Sequence, residues 1–134
     1  MFYLDPRLGA DTYPVAEWPL CQVLLIRDAR YPWLVLVPRR ANVSELLDLA
    51  PDDRLQLTRE IDRAASGLRG TVRCDKLNVA ALGNMVSQLH VHVIARRKTD
   101  AAWPKPVWAL GNPEAYDDAE VADLIRRLKM AFDV

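Results

Sequence analysis

Apolar residues along the chain recur with two different periods. Cys21–Ile26 and Trp33–Val37 are short runs rich in branched residues, separated by Arg27–Pro32, which has turn chemistry, and they predict two sequential strands of a hairpin. From Pro51 the spacing lengthens. Leu57, Ile61, Ala64, Ala65 and Leu68 fall at helical intervals while Arg59, Asp62, Arg63 and Arg69 take the other face, which predicts an amphipathic helix. Asp52 and Asp53 sit in its first turn, where the helix dipole favours anions, and Gly67 and Gly70 are expected to weaken and then stop it.

A shorter helical turn is predicted over Ser44–Leu49. Lys76–Leu82 reads as a strand, Gly83-Asn84 as a turn, and Gln88–Arg96 as a second strand with strong alternation. Asp117-Asp118 open a final helix whose stripe is Val121, Leu124, Ile125, Leu128 and Phe132. Leu4–Pro19 carries three prolines and no sustained period, so it reads as turns and short extended pieces. The order β-β-α-β-β-α predicts an α+β domain, with antiparallel strands and helices packed on one face.

Composition narrows the class. The chain has 134 residues, 51% hydrophobic and 27% charged, which suits one packed globular domain over residues 1–134. Eighteen basic residues balance eighteen acidic ones, so no general field attracts nucleic acid or an anionic membrane, and an anionic ligand must be met by local donors. No apolar run approaches the ~20 residues of a membrane span, and no signal-peptide pattern opens the chain, so a cytoplasmic protein is expected. Cys21 and Cys74 stand far apart and are expected to be reduced.

The chain's two histidines, His90 and His92, both lie in Gln88-Leu-His-Val-His-Val-Ile94. In a strand Gln88, His90 and His92 share one face, each ~6.6 Å from the next, while Leu89, Val91 and Val93 face the core. Such a row suits a decorated solvated face, a metal site or nucleophilic catalysis. A metal needs a third ligand, which Asp28 or a cysteine would have to supply. Catalysis needs one imidazole to attack and a neighbour to fix its tautomer or donate a proton.

The segment resembles the signature of the histidine triad family, in which three histidines alternate with hydrophobic residues; the first position is Gln88 here. Leu34-Val-Leu-Val-Pro-Arg-Arg40, a helix, Asn78 and Gly83-Asn84 follow the family's order, so the resemblance spans roughly Cys21 to Arg97. With its tail Trp103-Pro-Lys-Pro-Val-Trp108, the chain looks most like a bacterial branch of histidine triad proteins or dinucleoside polyphosphate hydrolases.

The resemblance implies a sheet of about five antiparallel strands, a homodimer, and His90 as the nucleophile that takes up a nucleotidyl group; no cofactor is expected. His92 would contact phosphate or support the nucleophile, and Gln88 would hold His90 or a phosphate oxygen. Asn84 and the backbone at Gly83 would meet phosphate, although Met85 stands where a hydroxyl residue often follows. Asn78 belongs to the same nucleotide-binding set, and Asp28, with Arg27 as competitor, would contact ribose. Trp103 and Trp108 are expected to form a wall against the nucleotide. The function implied is hydrolysis of dinucleoside polyphosphates, phosphoramidates or related compounds at the α-phosphorus. The alternative is a nucleotide-binding module without turnover.

Overall fold

A computed structural model describes residues 1–134. A short helix α1 (Pro6–Ala10) leads into β1 (Thr12–Glu17), β2 (Cys21–Ile26) and β3 (Trp33–Pro38). A 3-10 turn at Leu46–Asp48 precedes α2 (Pro51–Thr71), followed by β4 (Lys76–Ala80), β5 (Val91–Arg96), a 3-10 turn at Val107–Ala109, and α3 (Asp118–Ala131). The strands form one antiparallel sheet in the order β1-β2-β3-β5-β4. The class is α+β, as expected.

Alternation along β3 and β5 divides the interior in two. Leu34 and Leu36, with Val91, Val93 and Ala95, face a core of 20 buried residues shared with α2 and α3. Trp33, Val35 and Val37, with Ile94, face a second core that α1 and the irregular chain near Ala102 and Val107 cover. His92 and Arg96 share that second face with Ile94, because residues two apart in a strand point the same way.

Three local expectations are corrected. Thr12–Glu17 is a full edge strand although it contains Pro14. An edge tolerates a missing N–H, and the register slips between Pro14 and Ala16, so Val15 bulges into the core and hides the period of two. Neither Gly67 nor Gly70 is the end of α2, which runs through both and one residue further, to Thr71. A side chain at Gly67 would collide with the Phe132 ring, so this glycine serves close approach between the helix and the chain after α3. The third correction concerns β5, which begins at Val91 and not at Gln88. Its ladder with β4 ends at Ala80 opposite His92 and its ladder with β3 at Leu36 opposite Val91, so residues 88–90 lie outside both. Leu89 donates its N–H to the Val43 carbonyl instead.

Cys21 and Cys74 are free thiols. Burial, with the Glu60 carboxylate beside it, pushes the Cys21 thiol up. No helix is long and apolar enough to cross a membrane.

Candidate active site

On the sheet face away from α2 and α3 lies a cleft of about 590 Å³, within the ~300–1,000 Å³ usual for small-molecule sites. His90 and His92 form its floor, Trp33 and Trp108 one wall, and Gly83-Asn84 the rim. Both imidazoles are nearly buried, and their centroids lie 4.9 Å apart. Close packing fixes the rings, and their hydrogen bonds fix where each proton sits.

His90 Nδ1 lies 2.7 Å from the Gln88 carbonyl oxygen. A carbonyl only accepts, so Nδ1 carries the proton and Nε2 keeps a bare lone pair. For His92 the pattern is reversed. Trp33 Nε1 donates to His92 Nδ1 at 2.9 Å, so the hydrogen of the neutral His92 ring is on Nε2. Burial, and then the neighbouring His90, push the His92 pKa down to about 3.

Gln88 is not beside the imidazoles as expected. Its Oε1 accepts from the Asp5 N–H and its Nε2 donates to the Tyr3 carbonyl, both at 2.8 Å, so the side chain ties down the N-terminal segment. Only its backbone carbonyl serves His90.

Asp28 lines the cleft, but Arg30 occupies both carboxylate oxygens through Nε at 3.0 Å and Nη2 at 2.9 Å, and the Glu114 N–H adds to Oδ1. Burial alone would raise its pKa; the bonds from Arg30 and Glu114 hold it below the usual carboxylate range. Its neighbour Arg27 is exposed at the cleft, with its guanidinium 3.8 Å from the Tyr13 ring centroid. Gly83 has φ +66°, in the left-handed region that favours glycine, and so lets the rim turn back toward the histidines. Met85 is largely exposed on the same rim.

Asn78 and Trp103 fall outside the cleft. Asn78 Oδ1 accepts from Arg96 Nη1 at 2.9 Å. Arg96, 1% exposed, also forks onto Asp100 at 2.7 and 2.9 Å and donates to the Lys105 carbonyl at 2.8 Å, while the Trp103 ring lies 5.6 Å from its guanidinium. This cluster pins residues 97–105 to the sheet. Of the two expected tryptophans only Trp108 reaches the site, with its ring 4.9 Å from His92 and 5.6 Å from Trp33.

Trp33 is the site residue that sequence reasoning missed. The signal available was a tryptophan on the alternating face of a strand, since a buried indole N–H needs an acceptor. No group of three His, Cys, Asp or Glu side chains is placed to hold a metal ion.

Together these features define an α+β domain that presents two imidazoles, fixed in opposite tautomers, to a ligand-sized cleft. The HIT domain model matches residues 9–99. Solved structures agree over nearly the whole chain. A histidine triad protein from Bradyrhizobium japonicum is 50% identical with TM-score 0.96, covering 98% of each chain. One from Sinorhizobium meliloti is 45% identical with TM-score 0.94, covering 97% of this chain and 96% of that one. One from Marinobacter aquaeolei is 41% identical with TM-score 0.95, covering 99% and 97%. Among curated proteins none matches. The chain belongs to the HIT domain family, whose members bind nucleotides and are generally nucleotide hydrolases or transferases.

Proposed function

We propose that the chain hydrolyses a nucleotide at its α-phosphorus through a nucleotidyl-His90 intermediate, acting on dinucleoside polyphosphates, nucleoside phosphoramidates or related compounds. The observation that carries this reading is the bare Nε2 of His90 inside the cleft, with Nδ1–H anchored on a backbone carbonyl. Nε2 attacks phosphorus, a P–N bond forms, and the bond to the leaving group breaks with its electron pair departing on that group, a polyphosphate leaving as its anion and an amine taking a proton from solvent water. The Gln88 carbonyl accepts from the imidazolium that results, which stabilises the charge where it develops. Water then attacks the same phosphorus, the P–N bond breaks, and the nucleoside monophosphate leaves with Nε2 restored.

Phosphate charge is met at the rim by Gly83, Asn84 and Arg27, which reconciles an anionic substrate with a chain of zero net charge. Trp108 supplies an aromatic face for a base or leaving group. A ribose contact at Asp28 would have to displace Arg30 from its carboxylate.

The test is product release from adenosine phosphoramidate. Wild-type protein should yield the monophosphate. His90→Ala should yield none while binding nucleotide within about tenfold, roughly 1.4 kcal/mol, since the sugar and phosphate contacts remain. Binding without product in the wild type would make the chain a nucleotide-binding module. Undiminished turnover in His90→Ala would end the mechanism.

A homodimer fits the same reading, because β4 leaves a sheet edge open and Val79 on it is half exposed. Light scattering should give about twice 15.2 kDa; a clean monomer would refute the dimer.

A further inference from the structure

Trp33 is held on every side. It pairs with Ile94 across β3 and β5, which places its ring diagonally beside His92 on one face of the sheet. Tyr31 and Trp108 pack edge-on against it at 6.4 and 5.6 Å, and it is 8% exposed. Its indole N–H points at His92 Nδ1, and no other side chain hydrogen-bonds that ring. An indole cannot accept, so a proton on Nδ1 would set two buried donors against each other and lose the bond between them.

We infer that Trp33 is a positioning residue that locks His92 as a neutral Nε2–H donor, so that His92 holds a substrate oxygen and does not relay a proton. The charged or titratable groups facing the same cleft are His90 just before β5, Asp11 before β1, and Arg27, Asp28 and Arg30 after β2. Asp28 and Arg30 are spent on each other, and the other three do not hydrogen-bond His92. The pKa of about 3 that burial imposes on His92 agrees with the lock.

Gln88 faces the N-terminal segment, so neither neighbour of the nucleophile in the motif can act as a general acid. The substrates that suit this site therefore have leaving groups that depart as stabilised anions, as a polyphosphate does, whereas a phosphoramidate nitrogen must take its proton from solvent water and should turn over more slowly. That consequence for turnover rests on the nucleotidyl-transfer reading; the tautomer does not.

With two histidines in the chain, long-range ¹H–¹⁵N spectra of labelled protein show two ring systems. From pH 5 to pH 8, His92 should keep its proton on Nε2 without titrating. In Trp33→Phe the ring should become a mixture of tautomers and titrate within that range. A wild-type His92 protonated at Nδ1, or titrating between pH 5 and 8, would overturn the lock, as would a Trp33→Phe spectrum identical to wild type.

Turnover adds an arm that does not depend on Trp33. His92→Gln places an amide N–H near the Nε2 position and cannot titrate; it should keep kcat within about tenfold, while His92→Leu should lose on the order of 10² or more. Equal loss in both would show that His92 must exchange a proton. If the wild type turns over no nucleotide, the spectra still decide the lock, and the functional reading fails separately.

Discussion

The two faces of the sheet are built on different principles. Beneath α2 and α3 the core is apolar, with Leu34, Leu36, Leu68, Leu124 and Leu128 in one continuous cluster, and the one buried charge there, Glu60, accepts from the Leu20 and Cys21 N–H groups. On the other face the chain buries polar groups and satisfies them in sets: His92 with Trp33, Asp28 with Arg30, and Arg96 with Asp100 and Asn78. Irregular chain, pinned at a few polar points, can be held open as a cleft. The cleft with both histidines sits on the face whose covering is fixed by hydrogen bonds rather than by area.

The largest effect expected on stability comes from the polar face. Arg96→Met leaves Asp100 buried without its cation and should cost about 4 kcal/mol in denaturant unfolding. It should also free residues 97–105 and weaken the influence of nucleotide on Trp108 fluorescence. Leu128→Ala on the helical face should cost about 3 kcal/mol through its cavity and leave both histidine tautomers unchanged. If Leu128→Ala disturbed the imidazoles as much as Arg96→Met does, the division between the faces would not hold.

Acid should act on the cleft side as well. The His92 pKa is lowered to about 3, so the unfolded chain binds the extra proton first. The stability that neutral His92 contributes is complete above pH 6.5 and is lost as pH falls from there toward 3, a change on the order of a few kcal/mol. His92→Gln should flatten that limb of the stability curve. A curve of unchanged slope would place the acid sensitivity elsewhere.

The smallest effect is expected at Gln88. Gln88→Ala removes two hydrogen bonds to Tyr3 and Asp5, should cost about 1–2 kcal/mol, and should expose the N-terminal segment to protease. The Gln88 carbonyl stays, so His90 should keep its Nδ1–H. Loss of that tautomer would return Gln88 to the role its place in the motif suggested.

The same contrast explains how much was legible in the sequence. Helices α2 and α3 and the buried strands β2 and β3 follow from apolar periodicity, because area drives their packing and area is written in residue type. The use of Gly67 was not legible, because it depends on Phe132, 65 positions away in the chain. The edge strand β1 was hidden by Pro14 and the bulge at Val15. His90 and His92 were found as a pair from alternation alone. Their tautomers were not, since these depend on a carbonyl and an indole whose placement needs the register of β3 against β5. The same alternation put Gln88 on the histidines' face, but residues 88–90 lie outside the strand and the Gln88 side chain turns to Tyr3 and Asp5; Asn78 and Trp103, assigned from the flanks of the motif, find partners in the Arg96 cluster.

The proposed transfer of a nucleotidyl group to His90 Nε2 is tested most directly by a trapped covalent state. Protein mixed with adenosine phosphoramidate and quenched in the first turnover should gain the mass of one nucleotidyl group. Peptide mapping should place that mass on the segment carrying His90, and His90→Ala should gain none. Monophosphate released with no adduct at any quench time, or an adduct that survives in His90→Ala, would contradict it.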